Sequence, residues 1–276
     1  MKRTKDILYK VVVGLITLAF AFPMYLALVN VFKTLKQIRY HPAALPDPFT
    51  LDNIIQVIKR PDHMIFVGLM NSLFITTVTV LLLVVFSSTI GYYIARSDSK
   101  WSKLLLMAFV AGMLIPPQVT LIPVTRILAR LHLMYSFRGL IFFFVGSGLL
   151  SFAVFVYSGF IKTIPRELDE SALIDGASRF TLFWKIIFPL MRPATATVVI
   201  YLTLWTWNDF LLPLIIVGPT HGVTITTGVY VSVGTFTSDY GQIFAMMLLS
   251  ALPMLIFFFS LQKEFIAGLT SGSLKG

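Results

Sequence analysis

The chain has 276 residues, 57% of them hydrophobic and 12% charged, with a net charge of +10 and no cysteine. A soluble domain carries about 25% charged residues, so this composition belongs to the membrane class. It excludes disulfides, thiol chemistry and cysteine metal sites. No basic patch interleaved with aromatics marks a nucleic-acid interface, and the positive charge is read as topology and contact with anionic lipid.

Charge-free runs occupy residues 11–32, 64–95, 104–125, 139–161 and 240–262, and a sixth, 193–219, is interrupted only by Asp209. Each has the roughly 20 residues that a helix needs to cross ~30 Å of hydrocarbon at ~1.5 Å per residue. The pattern predicts an all-α membrane protein of six transmembrane helices, with both termini on one side. Run 64–95 exceeds one crossing and is expected to tilt or project. Pro23, Gly112, Pro116, Pro117, Gly146, Gly148, Pro213 and Pro253 fall inside the runs, where neighbouring helices satisfy the backbone groups they free. With the N-terminus inside, the inner segments hold 14 of the 22 Lys and Arg residues, which favours an N-in, C-in orientation. Lys2, Arg3, Lys5 and Lys10 before the first run imitate a signal peptide. That run is too long for an h-region and lacks a small-x-small ending, so a retained first helix is expected.

The connection 33–63 begins with a proline-rich extended stretch. Leu51, Ile54, Ile55 and Ile58 then fall at helical spacing and predict a short surface helix. After Pro123, Ile127, Leu128 and Leu131 share one face and Arg126 and Arg130 another, the mark of an amphipathic interfacial segment. The connection 218–239 has no Lys or Arg and is rich in Gly, Thr, Ser and Val. It is expected to be extended or partly β-like, and open to a partner on the outer side. The ending 263–276 is short and rich in Gly and Ser. No repeat of fixed period is visible, and a single transmembrane domain over 1–276 is the simplest account.

The inner connection 163–192 is polar where the rest of the chain is apolar. Thr163 or Ile164 can open a helix with Pro165 in its first turn. Glu167, Asp169 and Glu170 lie at the positive end of its dipole, Leu168, Ala172 and Leu173 form an apolar stripe, and Asp175-Gly176 ends it. Ser178 can cap a second helix, 179–188, whose Phe180, Phe183, Trp184 and Ile187 run back toward the membrane before Pro189 and Pro193 break it. The predicted object is a short helix along the inner membrane face. Ser171, Ala172, Gly176 and Ala177 leave room for close approach of another protein, although a solvated connector without a partner would have the same composition.

Glu170-Ser-Ala, three residues, Gly176, nine residues, then Ile186-x-Phe-Pro189 resembles the EAA loop of ABC-importer permeases, with Ser171 in place of the first Ala and Phe188 in place of Leu. Asn71-Ser-Leu, Gly91-Tyr-Tyr-Ile-Ala-Arg96, Trp207-Asn-Asp-Phe-Leu-Leu-Pro213 and the ending Gly268 to Gly276 are similar to the carbohydrate-type permeases of the maltose G-subunit-like branch. The likeness covers residues 66–276. It implies a type I ABC importer permease fold, with 163–192 as the cytoplasmic coupling loop. Glu170, Ser171, Ala172, Asp175, Gly176, Ala177, Phe180, Ile186 and Pro189 are then the residues of the coupling element, and the tail 268–276 also reaches the ATPase. The implied partners are a second homologous permease, a cytoplasmic ATPase dimer that holds ATP and Mg, an extracytoplasmic solute-binding protein, a sugar and the bilayer of a prokaryotic cell membrane. No cofactor is implied for this chain.

Polar groups within hydrocarbon face a bundle interior or a cavity. Asn208 and Asp209 stand beside Trp205 and Trp207. Aromatic faces next to hydrogen-bonding groups suit a sugar, but the same residues serve equally to tie helices together and to anchor them in the interface. Gln118 follows Pro116-Pro117 at an expected helix break, either a site or a plain kink. Asn71 reads first as a helix-start or interhelical bond and only then as a ligand contact, and Gly146, Ser147, Gly148 and Ser151 read as close-packing positions. His41, His63, His132 and His221 fall in outer connections without metal-ligand spacing, and no P-loop is present. The expected function is the permease of an ATP-driven sugar importer, without enzymatic chemistry of its own. An importer of amino acids, polyamines or phosphate, or an ion-driven secondary transporter, is the alternative.

Overall fold

The computed structural model describes the backbone of residues 2–235 and 239–273 and the side chains of 6–234 and 239–261. These residues form helices, and no strand occurs among them. In chain order the elements are α1 (Lys2–Val31), α2 (Leu35–Tyr40), α3 (Asp52–Ile58), α4 (Met64–Arg96), α5 (Lys100–Met113), α6 (Pro117–Arg130), α7 (Phe137–Gly146), α8 (Gly148–Ile161), α9 (Glu167–Ile174), α10 (Arg179–Leu190), α11 (Arg192–Asn208), α12 (Leu211–Ile216), α13 (Ile225–Thr235) and α14 (Tyr240–Ser273).

Three helices, α1, α4 and α14, are by themselves long and apolar enough to cross a membrane, and three bent pairs bring the number to as many as six. The breaks within the pairs have local causes. Helices α5 and α6 meet at 103°, where Pro117 lacks an N–H and holds Pro116 in an extended conformation with ψ 132°. Helices α7 and α8 meet at 44°, because Ser147 is extended and its Oγ caps Leu149 N–H. Helices α10 and α11 meet at 77° around Met191. The helix thus runs through Pro189, expected to break it, and stops beyond. Residues 182–187 form a π-turn in which Phe188 N–H bonds Phe183 O, five residues back. Pro189 then falls at the start of the next α-helical turn, where its missing N–H leaves nothing unsatisfied.

The chain folds as two compact units. The first comprises Met1–Leu69 and Ile225–Pro253. The carbonyls at the end of α1 are collected by the buried Asn53, whose Nδ2 donates to Val31 O and Lys33 O at 2.7 and 2.8 Å. Lys33, just beyond α1, is fully buried and donates to His41 O and Pro42 O. The expected surface helix forms as α3, but it buries Asn53 and Val57 while Leu51, Ile55 and Ile58 stay exposed. The connection expected to be extended holds α13 instead. Its weak helix formers are overridden by burial of Ile225, Thr227 and Ser232 and by the packing of Met64 against Gly228.

The second unit comprises Met70–Thr224 and Met254–Gly276. One core joins α4, α8, α9, α10 and α11 through Leu83, Tyr157, Ile161, Ala172, Phe183, Ile187 and Met191. A second joins α6, α7 and α12 through Leu128, Leu140, Phe143 and Ile216. Helix α4 buries small polar residues beside its apolar ones and turns other large apolar residues outward. Ser72, Thr76, Thr79, Ser87 and Ser88 are buried while Leu73, Phe74, Leu81 and Phe86 face outward. Such a distribution is stable where the surrounding solvent is as apolar as the side chains, and small polar residues serve helix packing.

Candidate functional site

The loop 163–192 is built by local rules. Helix α9 carries Glu167, Asp169 and Glu170 in its first turn, where the helix dipole favours acid. It starts four residues later than the earliest expected position, at Glu167, after Pro165 and the Arg166 cap. At its other end Gly176 adopts φ +83°, its N–H bonds Leu173 O, and Ala177 N–H reaches back to Ala172 O. That pair of bonds is the Schellman ending, which needs a residue that accepts a left-handed conformation. Ser178 Oγ then caps α10 by accepting from Thr181 N–H at 3.1 Å.

The buried face of α9 is not the apolar stripe that its spacing suggests. Asp169 and Ala172 are buried, while Leu168 and Leu173 are exposed. Asp169 turns inward because Arg96, the last residue of α4, meets it there. Nη2 of Arg96 donates to Oδ2 at 2.7 Å and Nε to Oδ1 at 3.2 Å. Tyr92 OH donates to the same Oδ1 at 2.7 Å. Nη1 of Arg96 donates to Ile161 O and Ile164 O, at and beyond the end of α8. A second pair, Arg166 with Asp98, is bidentate at 2.9 and 3.0 Å and open to solvent. The Arg166 guanidinium holds the Asp98 carboxyl below its usual range.

The outward surface of the loop combines Glu170, Ser171, Asp175 and Gly176 with apolar residues that water does not favour: Ile174 is 85% exposed and Phe180 73%, with Leu173 beside them. Of the remaining positions singled out in the sequence, Ala172 is buried, Ala177 and Ile186 are half-buried, and Pro189 is exposed. Ile174 was not among the sequence candidates. Its signal was an isoleucine off the Leu168–Ala172 stripe.

The intramembrane candidates separate. Trp205 and Asp209 line a cavity of ≈ 130 Å³ with Tyr201, Phe152, Ser147 and Pro117. An adjoining cavity of ≈ 300 Å³ is lined by Gly112, Thr120, Gly146, Gly148 and Ser151. Both lie where the α5–α6 and α7–α8 breaks open the helices, so Ser147, Gly148 and Ser151 line space as well as approaching their neighbours, while a Cβ at Gly146, expected to be a close-packing position, would meet nothing within 4 Å. Asp209 Oδ1 accepts from Leu212 N–H at 2.9 Å. Asn208 donates back to Leu204 O and borders an open recess with Trp205. Trp207 is buried away from both cavities, and Gln118 is exposed outside them. Asn71 donates to Val223 O at 2.8 Å and ties α4 to the segment before α13. Among the described residues no three His, Asp or Glu side chains cluster to hold a metal. The expected ATPase contact of the tail 268–276 lies outside the residues whose side chains are described, as do residues 236–238 of the connection 218–239.

Comparison with known proteins places this architecture. The family model for the binding-protein-dependent transport system inner membrane component matches residues 87–267. The probable starch degradation products transport system permease protein AmyC of Thermoanaerobacterium thermosulfurigenes is 33% identical over 94% of this chain and 93% of its own length. The multiple sugar-binding transport system permease protein MsmG of Streptococcus mutans is 35% identical over 92% and 91%. The melibiose/raffinose/stachyose import permease protein MelC of Bacillus subtilis is 35% identical over 75% of each. The fold is shared, at 17% identity and a TM-score of 0.85 over 95% of this chain and 97% of the other, with a chain of a bacterial ABC transporter that imports the acidic polysaccharide alginate. The chain belongs to the binding-protein-dependent transport system inner membrane component family.

Proposed function

We propose that the whole chain acts as the membrane-spanning permease subunit of an ATP-driven ABC importer in a prokaryotic cell membrane, with six spans in an N-in, C-in orientation. It carries a sugar or oligosaccharide, delivered by an extracytoplasmic solute-binding protein, and pairs with a second homologous permease. The reading rests on the family and on sugar permeases that match over nearly the full chain. One structural observation carries it furthest: a rigidly capped helix α9 that presents Ile174 and Phe180 to water beside Glu170 and Asp175. An exposed apolar knob with a polar rim on a polar loop is a docking surface. The loop 163–192 is then the coupling element, and a cytoplasmic ATPase dimer is its partner. ATP and Mg bind on that dimer, whose closure swings the permease between inward- and outward-facing states. Trp205 and Asp209 border the solute path, with Asn208 at its edge.

The test is capture of the ATPase by the purified chain. Burying an isoleucine contributes about 1.5–3 kcal/mol, so Ile174→Asp is expected to weaken capture by about ten- to a hundredfold. The fold does not use this side chain and is expected to be unaffected. Gly176→Trp is expected to act in the same direction, through its bulk on the exposed surface and through the strain of a side chain at φ +83°. Undiminished capture and uptake in both variants would refute the docking role. Uptake of labelled saccharides against amino acids, polyamines and phosphate decides the solute class.

A further inference from the structure

The docking helix is fastened to the membrane bundle at one buried polar junction, which the proposed function does not require. Arg96 and Asp169 are each 13% exposed in their side chains. All of the carboxylate's contacts run to α4: Oδ1 to Tyr92 and Nε of Arg96, and Oδ2 to Nη2. The remaining arm of Arg96 is fixed on the carbonyls of Ile161 and Ile164. The Tyr92 ring lies 5.2 Å from that of Phe183 in the π-turn of α10. The guanidinium therefore joins α4, which carries it, to α8 and α9, Tyr92 adds a contact to α10, and α4 is a 33-residue helix long enough to cross the membrane.

Stability alone does not explain such a junction. A buried ion pair stabilises a fold no better than well-packed apolar residues of equal volume. What the bidentate fork adds is geometry, because two parallel N–H···O bonds fix distance and angle together. Ala172, the other buried residue of α9, makes an apolar contact that permits sliding. The Arg96–Asp169 fork does not. We infer that Arg96 and Asp169 are positioning residues for coupling: displacement of α9 by its docked partner is delivered through this fork to the inner end of α4, with Tyr92 holding the carboxylate in orientation.

This inference rests on the permease reading and is tested separately from it. The assembled transporter, with its ATPase and binding protein, is reconstituted in vesicles. Uptake per ATP hydrolysed is measured together with thiol labelling of a single-cysteine reporter, Thr120→Cys, in the larger cavity. The chain has no native cysteine to interfere, and Thr120 lines that cavity. In the otherwise unaltered transporter, ATP changes the labelling rate. In Asp169→Asn, nearly equal in volume, the ATPase still co-purifies and hydrolyses ATP. Uptake per ATP falls about tenfold and the ATP-driven change in labelling is lost. A purely structural role would lower the amount of assembled complex and leave uptake per ATP unchanged. Tyr92→Phe removes one oxygen, keeps the assembly and is expected to show a loss of about threefold. Uptake per ATP and labelling response within about twofold of the parent in assembled Asp169→Asn, or a parental response in Tyr92→Phe if Asp169→Asn does not assemble, overturns the inference. Failure of the permease reading looks different: the parent chain itself then captures no ATPase and shows no ATP-dependent uptake.

Discussion

Replacing Gly91 by alanine tests a close helix crossing in the second unit. A Cβ at Gly91 would lie 2.8 Å from Tyr157 Cβ and 3.1 Å from Ser158 N. Carbon atoms rest at about 3.5–4.0 Å, so α4 and α8 would have to part by nearly 1 Å. They have little freedom to do so. Tyr157 and Ile161 are fully buried, and Tyr157 OH donates to Thr195 Oγ1 at 3.1 Å. Overpacking of this kind costs about 1–3 kcal/mol, partly offset by the gain of about 1 kcal/mol that alanine brings to a helix interior. Gly159→Ala in α8 is the control, since nothing lies within 4 Å of its Cβ and only the helix gain remains. The difference between the two variants isolates the clash at about 1–3 kcal/mol. At about 2–4 °C per kcal/mol for a chain of this size, Gly91→Ala is expected to melt several degrees below Gly159→Ala. The assay is thermal unfolding of the purified chain in detergent. Melting points within about 1 °C of each other, or in the opposite order, would refute the close approach of α4 and α8.

Other substitutions separate residues that the sequence presents as equivalent. Trp207→Ala is expected to cost about 3–5 kcal/mol of stability, because Trp207 is 4% exposed. Trp205→Ala, at a half-exposed cavity wall, is expected to lower uptake with a much smaller change in melting temperature. Gly176→Ala meets no neighbour but forces a Cβ into φ +83°, a loss of about 1–2 kcal/mol in thermal unfolding. Gly176→Asn, which tolerates that conformation better, is expected to lose less. Asp98 is paired with Arg166 in open solvent, so Asp98→Asn is expected to leave the neutral-pH melting temperature nearly unchanged. Its folded-state pKa is lowered below the ordinary 3.8. Whatever the pair contributes is therefore present above the ordinary value and lost as pH falls through the lowered one, and an acid-side melting series of parent and Asp98→Asn checks the sign.

The sequence by itself determined what depends on near neighbours in the chain. Apolar runs of crossing length set the class and the sites of most helices. Pro116-Pro117 announced the sharpest bend, Gly176 the end of α9 and Ser178 the start of α10, because caps and breaks are decided within five residues. Only the tertiary structure decided which faces turn inward. Asp169 takes the core side of α9 because Arg96, 73 residues earlier, waits there, and Leu168 and Leu173 are displaced outward. Trp205 reaches a cavity and Trp207 the core, although they sit two residues apart. Residues 225–235 become a helix through burial against the first unit's other segments rather than through propensity. Lipid is as apolar as a helix core, so hydrophobic periodicity, the signal that orients helices in water, is nearly silent in this chain, and orientation is left to polar partners brought together from distant positions.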